Sequence, residues 1–342
     1  MKKLVFLPLA AALLLSLSAC RAKPPAPGGA GDVKLNFGVI TGPTGIGAAP
    51  LMRDYGSTDG STDYNITLAA APTDLTALLI NGELDIACLP TNVAATLYNK
   101  TNGGVQMLAL NTRGVLYILE NGNSVQSLSD LKGKTLYAFG EGQGANPEYI
   151  LDYLLTRNGL TPGKDLTIVW EDSGALSAKM ASGGVTLAML PVPAATGVVL
   201  KNSGVRYALD LTAEWDKLDN GSGLYMGCVV VRTDFLRAHE AAAQLFMQRY
   251  TLSLNTMIAA ASGVSSGSDV SYDFGQLLVD QRIVGSAQAG NAALPYAGLC
   301  NITGAAAMKD AISGYYQVLF DANPASIGGA IPSADFYSDL KF

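Results

Sequence analysis

An internal duplication constrains the fold of this chain more than any other feature of its sequence. The pattern G-x-G-A-x-P occurs at residues 45–50 and again at residues 142–147. Downstream, LTA at residues 75–77 recurs as LSA at residues 176–178, and ACLP at residues 87–90 recurs as AMLP at residues 188–191. The blocks keep one order, and their period is far longer than that of solenoid repeats. We therefore predict two lobes of one design.

Each copy has the same predicted alternation of short apolar strands and helices. In the first copy, strands are predicted at residues 33–40, 64–69, 84–88 and 105–110, and helices at 46–55, 73–80 (with Thr73 as N-cap) and 92–98. In the second copy, strands are predicted at 135–139, 166–170, 186–190 and 205–209, and helices at 147–157, 176–181 and 194–201. Such alternation is typical of a mostly parallel sheet covered by helices on both faces. Each lobe is therefore predicted to be α/β.

Two segments, residues 114–120 and 224–232, are predicted to cross between the lobes. Helices are predicted after the second crossing, at residues 233–261, 272–282 and 303–320. The simplest topology returns the chain to the first lobe. We therefore expect residues 33–115 and 228–342 to form the first lobe and residues 116–227 the second, with two connections suited to hinge closure.

Ligands of open parallel sheets bind beyond the carboxyl ends of the strands. The segments predicted there combine glycines, which let a ligand approach the backbone, with side chains that form hydrogen bonds. The helix starts after the G-x-G-A-x-P turns offer free N–H groups to a carboxylate, sulfonate or phosphate. Gly-rich turns also precede helices for purely structural reasons, which is the alternative for each loop. The candidate binding residues are Thr41, Gly42, Pro43, Thr44, Pro72, Thr73, Thr91, Asn92, Glu141, Gly142, Gln143, Gly144, Ala145 and Val192.

Two tyrosines and an arginine on the crossing segments are further candidates. Tyr117 and Tyr225 have the chemistry to stack on a ring or to donate a hydroxyl hydrogen bond, and packing of the hinge is the alternative. Arg113 is the nearest cation to the proposed cleft floor; it pairs either with an acidic ligand or with a surface carboxylate. Glu141 would repel an anion, bind a cationic group or lie in solvent, and the sequence leaves this open.

The first twenty residues predict a secretory signal. Lys2 and Lys3 precede an apolar run at residues 4–15, and LSAC ends at Cys20. This site resembles the lipobox of bacterial lipoproteins, which implies a lipid on Cys20 and anchorage to a membrane. Residues 21–32 (RAKPPAPGGAGD) are rich in Pro, Gly and Ala, and we interpret them as a tether.

Composition limits the partners and the chemistry. The formal net charge of −6, without a dense run of Lys or Arg, argues against nucleic acid. Cys88, Cys228 and Cys300 have neither a disulfide nor a zinc pattern; the first two are predicted to be buried, and His239 to be solvated. The sequence has no G-x-x-x-x-G-K-[ST], so a partner would have to use any ATP. The proposed loops contain no nucleophile–base pair and no carboxylate pair, and we therefore predict no enzyme activity. We also predict no metal and no cofactor.

Several segments together carry a family resemblance. They are the site at Cys20, GELDIACLPTNVAATLYNK, LSDLKGKTLYAFGEG, GCVVVRTDFLRAHEAAAQLF and NPASIGGAIPSADFY. In this order they resemble the solute-binding lipoproteins of ABC importers, in the branch that binds sulfonates, nitrate and thiamine pyrimidines. The resemblance runs from about Val33 to Tyr337.

This resemblance implies a type II-like periplasmic-binding-protein fold with two crossover strands. It also implies the function: a monomer captures a small polar or anionic solute, with or without a ring, in the interlobe cleft and delivers it to a permease driven by a separate ATPase. No arginine in the cleft loops is placed to clamp a sulfonate. A biosynthetic enzyme of the same fold and a solute receptor for a membrane sensor are the alternatives.

Overall fold

The structure is a computed structural model that describes residues 33–57, 62–263 and 273–342. The predicted signal, Cys20 and the tether lie outside these residues, as does residue 272 at the predicted start of a helix. The first half contains β1 (Leu35–Ile40), α1 (Pro43–Ile46), α2 (Ala49–Tyr55), β2 (Gly56–Ser57), β3 (Tyr64–Ala69), α3 (Pro72–Asn81), β4 (Ile86–Pro90), α4 (Thr91–Lys100) and β5 (Val105–Arg113).

The middle of the chain repeats this alternation. It contains β6 (Leu116–Asn121), β7 (Thr135–Phe139), α5 (Asn146–Arg157), β8 (Thr167–Glu171), α6 (Ser173–Ala181), β9 (Leu187–Pro191), α7 (Ala194–Lys201), β10 (Val205–Asp210) and α8 (Leu211–Asp216). The last third contains β11 (Tyr225–Arg232), α9 (Thr233–Ala238), α10 (Glu240–Ala261), α11 (Phe274–Asp280), α12 (Ala287–Ala293), β12 (Leu299–Thr303) and α13 (Ala305–Ala322).

The strands form two mixed sheets, one in each lobe, and the predicted two-lobed α/β fold is confirmed. The first sheet has the order β12-β5-β11-β4-β1-β3-β2, and the second has the order β10-β6-β9-β7-β8. The first sheet has four neighbouring parallel strands (β4, β1, β3 and β2) and the second has three (β9, β7 and β8); each set is followed by antiparallel pairings. The order β5-β11-β4-β1-β3 therefore matches β10-β6-β9-β7-β8 in direction as well as position. The duplication in the sequence is thus a duplication of sheet topology.

The lobes exchange one strand each. β6 follows β5 after only Gly114 and Val115, yet it pairs with β9 and β10 of the second sheet. β11 follows the second copy of the repeat, yet it pairs with β4 and β5 of the first sheet. The predicted crossing segments are therefore mostly strands of the sheet that the chain enters, and the crossings themselves are short.

Repeat-related residues end and start the same elements. Pro50 and Pro147 are each the second residue of a helix, where their missing N–H groups leave no hydrogen bond unmade. Gly82 and Gly183 follow α3 and α6 with φ of 76° and 79°, the left-handed conformation that ends a helix and that glycine adopts without strain. Thr73 is not the N-cap of α3: the helix starts at Pro72 after Ala71.

Two elements of the last third were missed by the sequence prediction. β12 extends the first sheet beside β5, and the short helix α12 precedes it. The predicted helix at residues 233–261 is interrupted at His239, which has φ −136° and is exposed to solvent as predicted. Short apolar segments of this kind carry too little periodicity to assign.

The hydrophobic core consists of two clusters, one confined to the first lobe and one that extends through both lobes. One cluster lies within the first lobe, where Phe37 of β1 packs against Phe246 and Tyr250 of α10. The other is continuous through both lobes and includes Leu136 of β7 and Leu319 of α13. Since α13 contacts β11 and β12 as well as α5, this helix belongs to the cores of both lobes.

Candidate functional site

The loops after the central strands of the two sheets meet the crossings between the lobes. Thr91, which directly follows β4, donates from Oγ1 to the carbonyl oxygen of Tyr225 at the start of β11 (2.8 Å). The N–H of Val192, which directly follows β9, donates to the carbonyl oxygen of Val115 (3.0 Å). The carboxyl edges of both sheets therefore converge on the hinge, where a ligand site of this fold class is expected.

Two consecutive tyrosines of α13 form hydrogen bonds with the first residues of two helices, one in each lobe. Tyr316 donates its hydroxyl to the carbonyl oxygen of Thr91, the first residue of α4 (2.9 Å). The Tyr315 hydroxyl accepts from Nδ2 of Asn146, the first residue of α5 (3.0 Å). Both tyrosines are fully buried, and burial raises the pKa of each above its ordinary value. The helix starts that converge are thus those of α4 and α5.

The first-lobe loop, residues 41–44, is half-buried and held by backbone contacts. Gly42 has φ 93° and donates its N–H to the carbonyl oxygen of Ile283 (3.2 Å). Thr44 accepts, at its carbonyl oxygen, a hydrogen bond from Nδ2 of the buried Asn111 (3.3 Å). Pro72 and Thr73 lie in the first turn of α3, half-buried and exposed respectively. The side chains of this rim remain partly open to solvent.

The second-lobe loop, residues 140–145, is more open. Residues 140–142 form a 3-10 turn in which Glu141 is exposed and Gly142 is buried. Gln143 and Gly144 are exposed, and Ala145 is half-buried. The N–H of Gly144, which precedes α5, donates to Oε2 of Glu148 in the first turn of that helix (2.5 Å), so this loop already binds one carboxylate.

The prediction that both G-x-G-A-x-P turns offer a helix start to an anion is wrong for the first lobe. Gly47, Ala48 and Ala49 are buried there. The N–H of Leu51 in the first turn of α2 donates to Oγ of Ser253 on α10 (2.9 Å), and that hydroxyl donates to the carbonyl oxygen of Gly47 (2.7 Å). The start of α2 is capped by the protein core, which leaves no room for a ligand.

Three candidate contacts are buried with protein partners. Thr91 is wholly inaccessible, and Val192 and Tyr117 are nearly so. The hydroxyl of Tyr117 donates to the carbonyl oxygen of Tyr296 (3.0 Å), and burial raises its pKa above the ordinary value. These side chains therefore form the wall behind the loops in this structure, while Asn92 is half-buried beside them.

The crossing arginine has a carboxylate partner. Nη2 of Arg113 lies 2.6 Å from Oδ1 of Asp216 on α8, and its guanidinium carbon lies 5.4 Å from the ring centre of Tyr225. Burial lowers the pKa of Arg113, but the bond to Asp216 prevails and raises it overall. Of the two alternatives left open by the sequence, the salt bridge is the one present here.

Sequence reasoning missed the residues that hold the loops: Asn111, Asn146, Tyr296 and Tyr315. Asn146 lies inside the second G-x-G-A-x-P turn, but its counterpart is Ala49, so the repeat itself gave it no weight. The cysteine prediction is confirmed: Cys88 and Cys228 are buried, and burial raises the pKa of the Cys88 thiol to about 12.

Two surface cavities lie away from the hinge. One of about 370 Å³ is lined by Leu97, Val105 and Arg232, and one of about 540 Å³ by Glu120, Lys134 and Gly184. Neither contains a predicted binding residue. Within residues 33–57, 62–263 and 273–342, no three His, Cys, Asp or Glu side chains are grouped as metal ligands. No helix in the same part of the chain is long and apolar enough to span a membrane.

Comparison with known proteins identifies the family. The model of the family described as NMT1/THI5 like matches residues 62–261, more than half of the chain. The chain therefore belongs to the NMT1/THI5-like family. No protein with a curated description matches the sequence.

Solved structures share the whole fold. An ABC transporter protein from Parabacteroides distasonis has a TM-score of 0.70 at 23% identity, over 90% of this chain and 99% of its own. The periplasmic aliphatic sulphonate binding protein from Escherichia coli has a TM-score of 0.62 at 15% identity, over 90% of this chain and 94% of its own. The ligand-binding component of an ABC-type import system from Staphylococcus aureus, with zinc bound, has a TM-score of 0.59 at 14% identity, over 89% and 96%. The predicted resemblance is confirmed in family and fold.

Proposed function

We propose that this protein is the extracytoplasmic solute-binding component of an ABC importer. It captures a small polar or anionic molecule, with or without a ring, between its lobes and delivers it to a permease and its ATPase. The observation that carries the proposal is the convergence of two matching sheet edges on one hinge. The roles of two proteins with this fold, a sulphonate binder and the ligand-binding component of an import system, support it.

The proposed site is the rim of the cleft. Its contact residues are Thr41, Gly42, Pro43, Thr44, Pro72, Thr73, Asn92, Glu141, Gln143, Gly144 and Ala145, with Tyr225 at the floor. Because Asp216 is paired with Arg113 and Glu148 accepts from the N–H of Gly144, a fully anionic solute has to displace one of these carboxylates or bind through other donors. A polar solute with limited negative charge fits this rim better than a doubly charged anion.

We propose that residues 33–115 and 228–342 form the first lobe and residues 116–227 the second. The strand exchange supports the first boundary, whereas β11 of the first sheet starts at Tyr225, three residues before the second boundary. We further propose that Cys20 carries a lipid that anchors the protein outside the cytoplasm, with residues 21–32 as a tether, and that the protein acts as a monomer. Replacement of Cys20 by Ser is expected to move the protein from the membrane fraction to the soluble one, as an immunoblot of fractionated cells would detect. Retention in the membrane would contradict the lipid anchor.

A binding role is favoured over catalysis by the chemistry at the hinge. His239 is the one histidine of the sequence and lies on the surface between α9 and α10. The Cys88 and Cys228 thiols are buried, and burial raises the pKa of both, which disfavours the thiolate. The family also has biosynthetic members, so turnover of the ligand is a second outcome to test. If the protein instead reports solute to a membrane sensor, its partner would differ but the binding cleft would be the same.

The decisive experiment is a thermal-shift screen of the full chain against alkanesulfonates, nitrate, pyrimidines, flavins and amino acids. A ligand that binds only the folded protein raises the midpoint of unfolding by mass action. For any hit, Gln143→Trp and Asn92→Trp are expected to weaken binding at least tenfold, because each side chain fills the rim. Gln248→Trp, at an exposed position of α10, is the matched control. Unchanged affinity in both rim variants would refute the site, and consumption of the hit would favour an enzyme.

A further inference from the structure

Three aromatic rings from the two lobes pack together beside the first crossing. Tyr117 on β6 and Tyr207 on β10 belong to the second sheet, whereas Tyr296 lies in the 3-10 turn Leu294–Tyr296 that precedes β12 of the first sheet. The Tyr296 and Tyr207 rings stack with centres 4.2 Å apart and planes 16° apart. Tyr117 meets both rings edge-on, at 5.1 Å from Tyr207 and 5.8 Å from Tyr296.

The cluster is fixed by hydrogen bonds as well as by ring packing. Tyr117 donates to the carbonyl oxygen of Tyr296 (3.0 Å), and the Tyr207 hydroxyl lies 2.8 Å from Oγ1 of Thr196 on α7. Tyr207 is half-buried, and this burial raises its pKa to about 12. On the same side of the molecule, α12 packs beside α7. One continuous contact therefore joins the turn before β12 to three elements of the second lobe.

This contact differs in kind from the one that α13 makes. α13 contacts the second crossing directly, where the N–H of Gly223 donates to the carbonyl oxygen of Ala311 (3.0 Å). Tyr207, by contrast, pairs with Leu119, whereas Tyr117 is the second residue of β6. Tyr207 therefore lies farther from the crossing than Tyr117 does. Rotation about the crossings would keep a contact at the axis and separate rings that lie off it.

We propose that Tyr296 is an interlobe latch: its ring on Tyr207 and its carbonyl oxygen on Tyr117 hold the lobes together before any solute binds. Opening of the cleft separates the Tyr207 and Tyr296 rings. A ligand-independent closing contact raises the population of the binding-competent state and hence the apparent affinity. That last consequence rests on the proposed solute-binding function, whereas the latch itself is testable without solute.

The experiment measures the interlobe distance in the solute-free full chain in detergent. Ile80 on α3 and Leu200 on α7 are exposed, and one lies in each lobe. Each is replaced by p-acetylphenylalanine, to which a spin label is attached. Tyr296→Ala removes the ring contacts with Tyr207 and Tyr117. It is expected to raise the ratio of long to short distances by at least about three- to tenfold, the range that loss of one aromatic pair gives. Tyr296→Phe retains the ring and the carbonyl oxygen, and it is expected to match the wild type.

Tyr55→Ala is the matched aromatic deletion, because Tyr55 contacts Tyr64 and Arg249 within the first lobe. It is expected to leave the distances unchanged. If Tyr296→Ala gives the wild-type distance distribution, the latch is refuted. Should Tyr296→Ala fail to fold, Tyr117→Phe, which removes only the hydroxyl donor, must give a smaller shift toward long distances, and its absence would equally refute the latch. None of these outcomes depends on whether a solute is found.

Discussion

The two G-x-G-A-x-P turns have one sequence pattern and two different physical roles. In the first lobe the turn is buried, and a Cβ on Gly45 would collide with the carbonyl oxygen of Ile40, so glycine is needed for close packing. In the second lobe Gly144 lies in open space with φ 69°, so glycine is needed there for its backbone conformation. The first turn belongs to the core, and the second turn is free to meet a ligand.

The same contrast extends to the asparagine that holds each turn. Asn111 donates to the buried hydroxyl of Tyr250 on α10 (2.8 Å) and to the carbonyl oxygen of Thr44, and it accepts from the Thr112 hydroxyl (3.0 Å). Asn146 donates only to Tyr315, and its Oδ1 is buried without a partner in the described structure. The first turn is therefore anchored more firmly than the second.

The largest predicted difference is between Gly45→Ala and Gly142→Ala, which are equivalent positions of the repeat. Gly45→Ala is expected to lower the free energy of unfolding by about 3 kcal/mol because the new Cβ meets backbone. Gly142→Ala should cost about 1 kcal/mol, since its Cβ would meet the side chains of Phe139 and Pro147 at 3.0 Å. Urea unfolding of both variants measures this. Equal losses would break the comparison.

The second pair is Asn111→Leu and Asn146→Leu. The first leaves buried hydroxyl and carbonyl groups without a partner and is expected to cost about 2 kcal/mol. The second leaves the Tyr315 hydroxyl without its partner but also removes an unsatisfied acceptor, Oδ1 of Asn146. We therefore expect it to lower the free energy of unfolding by about 1 kcal/mol. Adding Tyr315→Phe to Asn146→Leu should recover most of that loss. A double-mutant cycle by chemical denaturation tests this, and a loss for Asn146→Leu as large as for Asn111→Leu would contradict our ranking.

The smallest effects are expected at the second glycine of each turn. Gly47→Ala would place a Cβ 2.5 Å from Cδ1 of Leu254, a side chain that can shift, at a cost of about 1 kcal/mol. Gly144→Ala meets no atom within 4 Å, but a φ of 69° is unfavourable for a residue with a Cβ, and we expect a cost of about 1 kcal/mol. If the second turn contacts solute, Gly144→Ala should weaken the binding of a screening hit more than Gly47→Ala does. Calorimetric titration of both variants measures this difference.

Much of the fold was predictable because the apolar alternation is a local signal and the repeat is legible as matching segments in one order. The strands Tyr64–Ala69 and Thr135–Phe139 and the helix Ala194–Lys201 have the predicted bounds. β12, α12 and the break at His239 were not predictable, because each depends on neighbours far along the chain. For the candidate site, the loops could be assigned to strand ends, but the burial of Thr91, Tyr117 and Val192 follows from the packing of α13 and the turn at Tyr296.

The sequence by itself determined the duplication, because residues 45–50 match residues 142–147 and the later blocks keep the same order. It also determined the α/β class and the placement of glycine-rich loops after strands, because these follow from periodicity within about 10 to 20 residues. Only the tertiary structure decided which of two identical motifs faces solvent. α10 covers the first turn with Ser253 and Leu254, whereas the second turn meets Tyr315 through Asn146 alone. That difference arises from where the last third of the chain packs, and no local pattern encodes it.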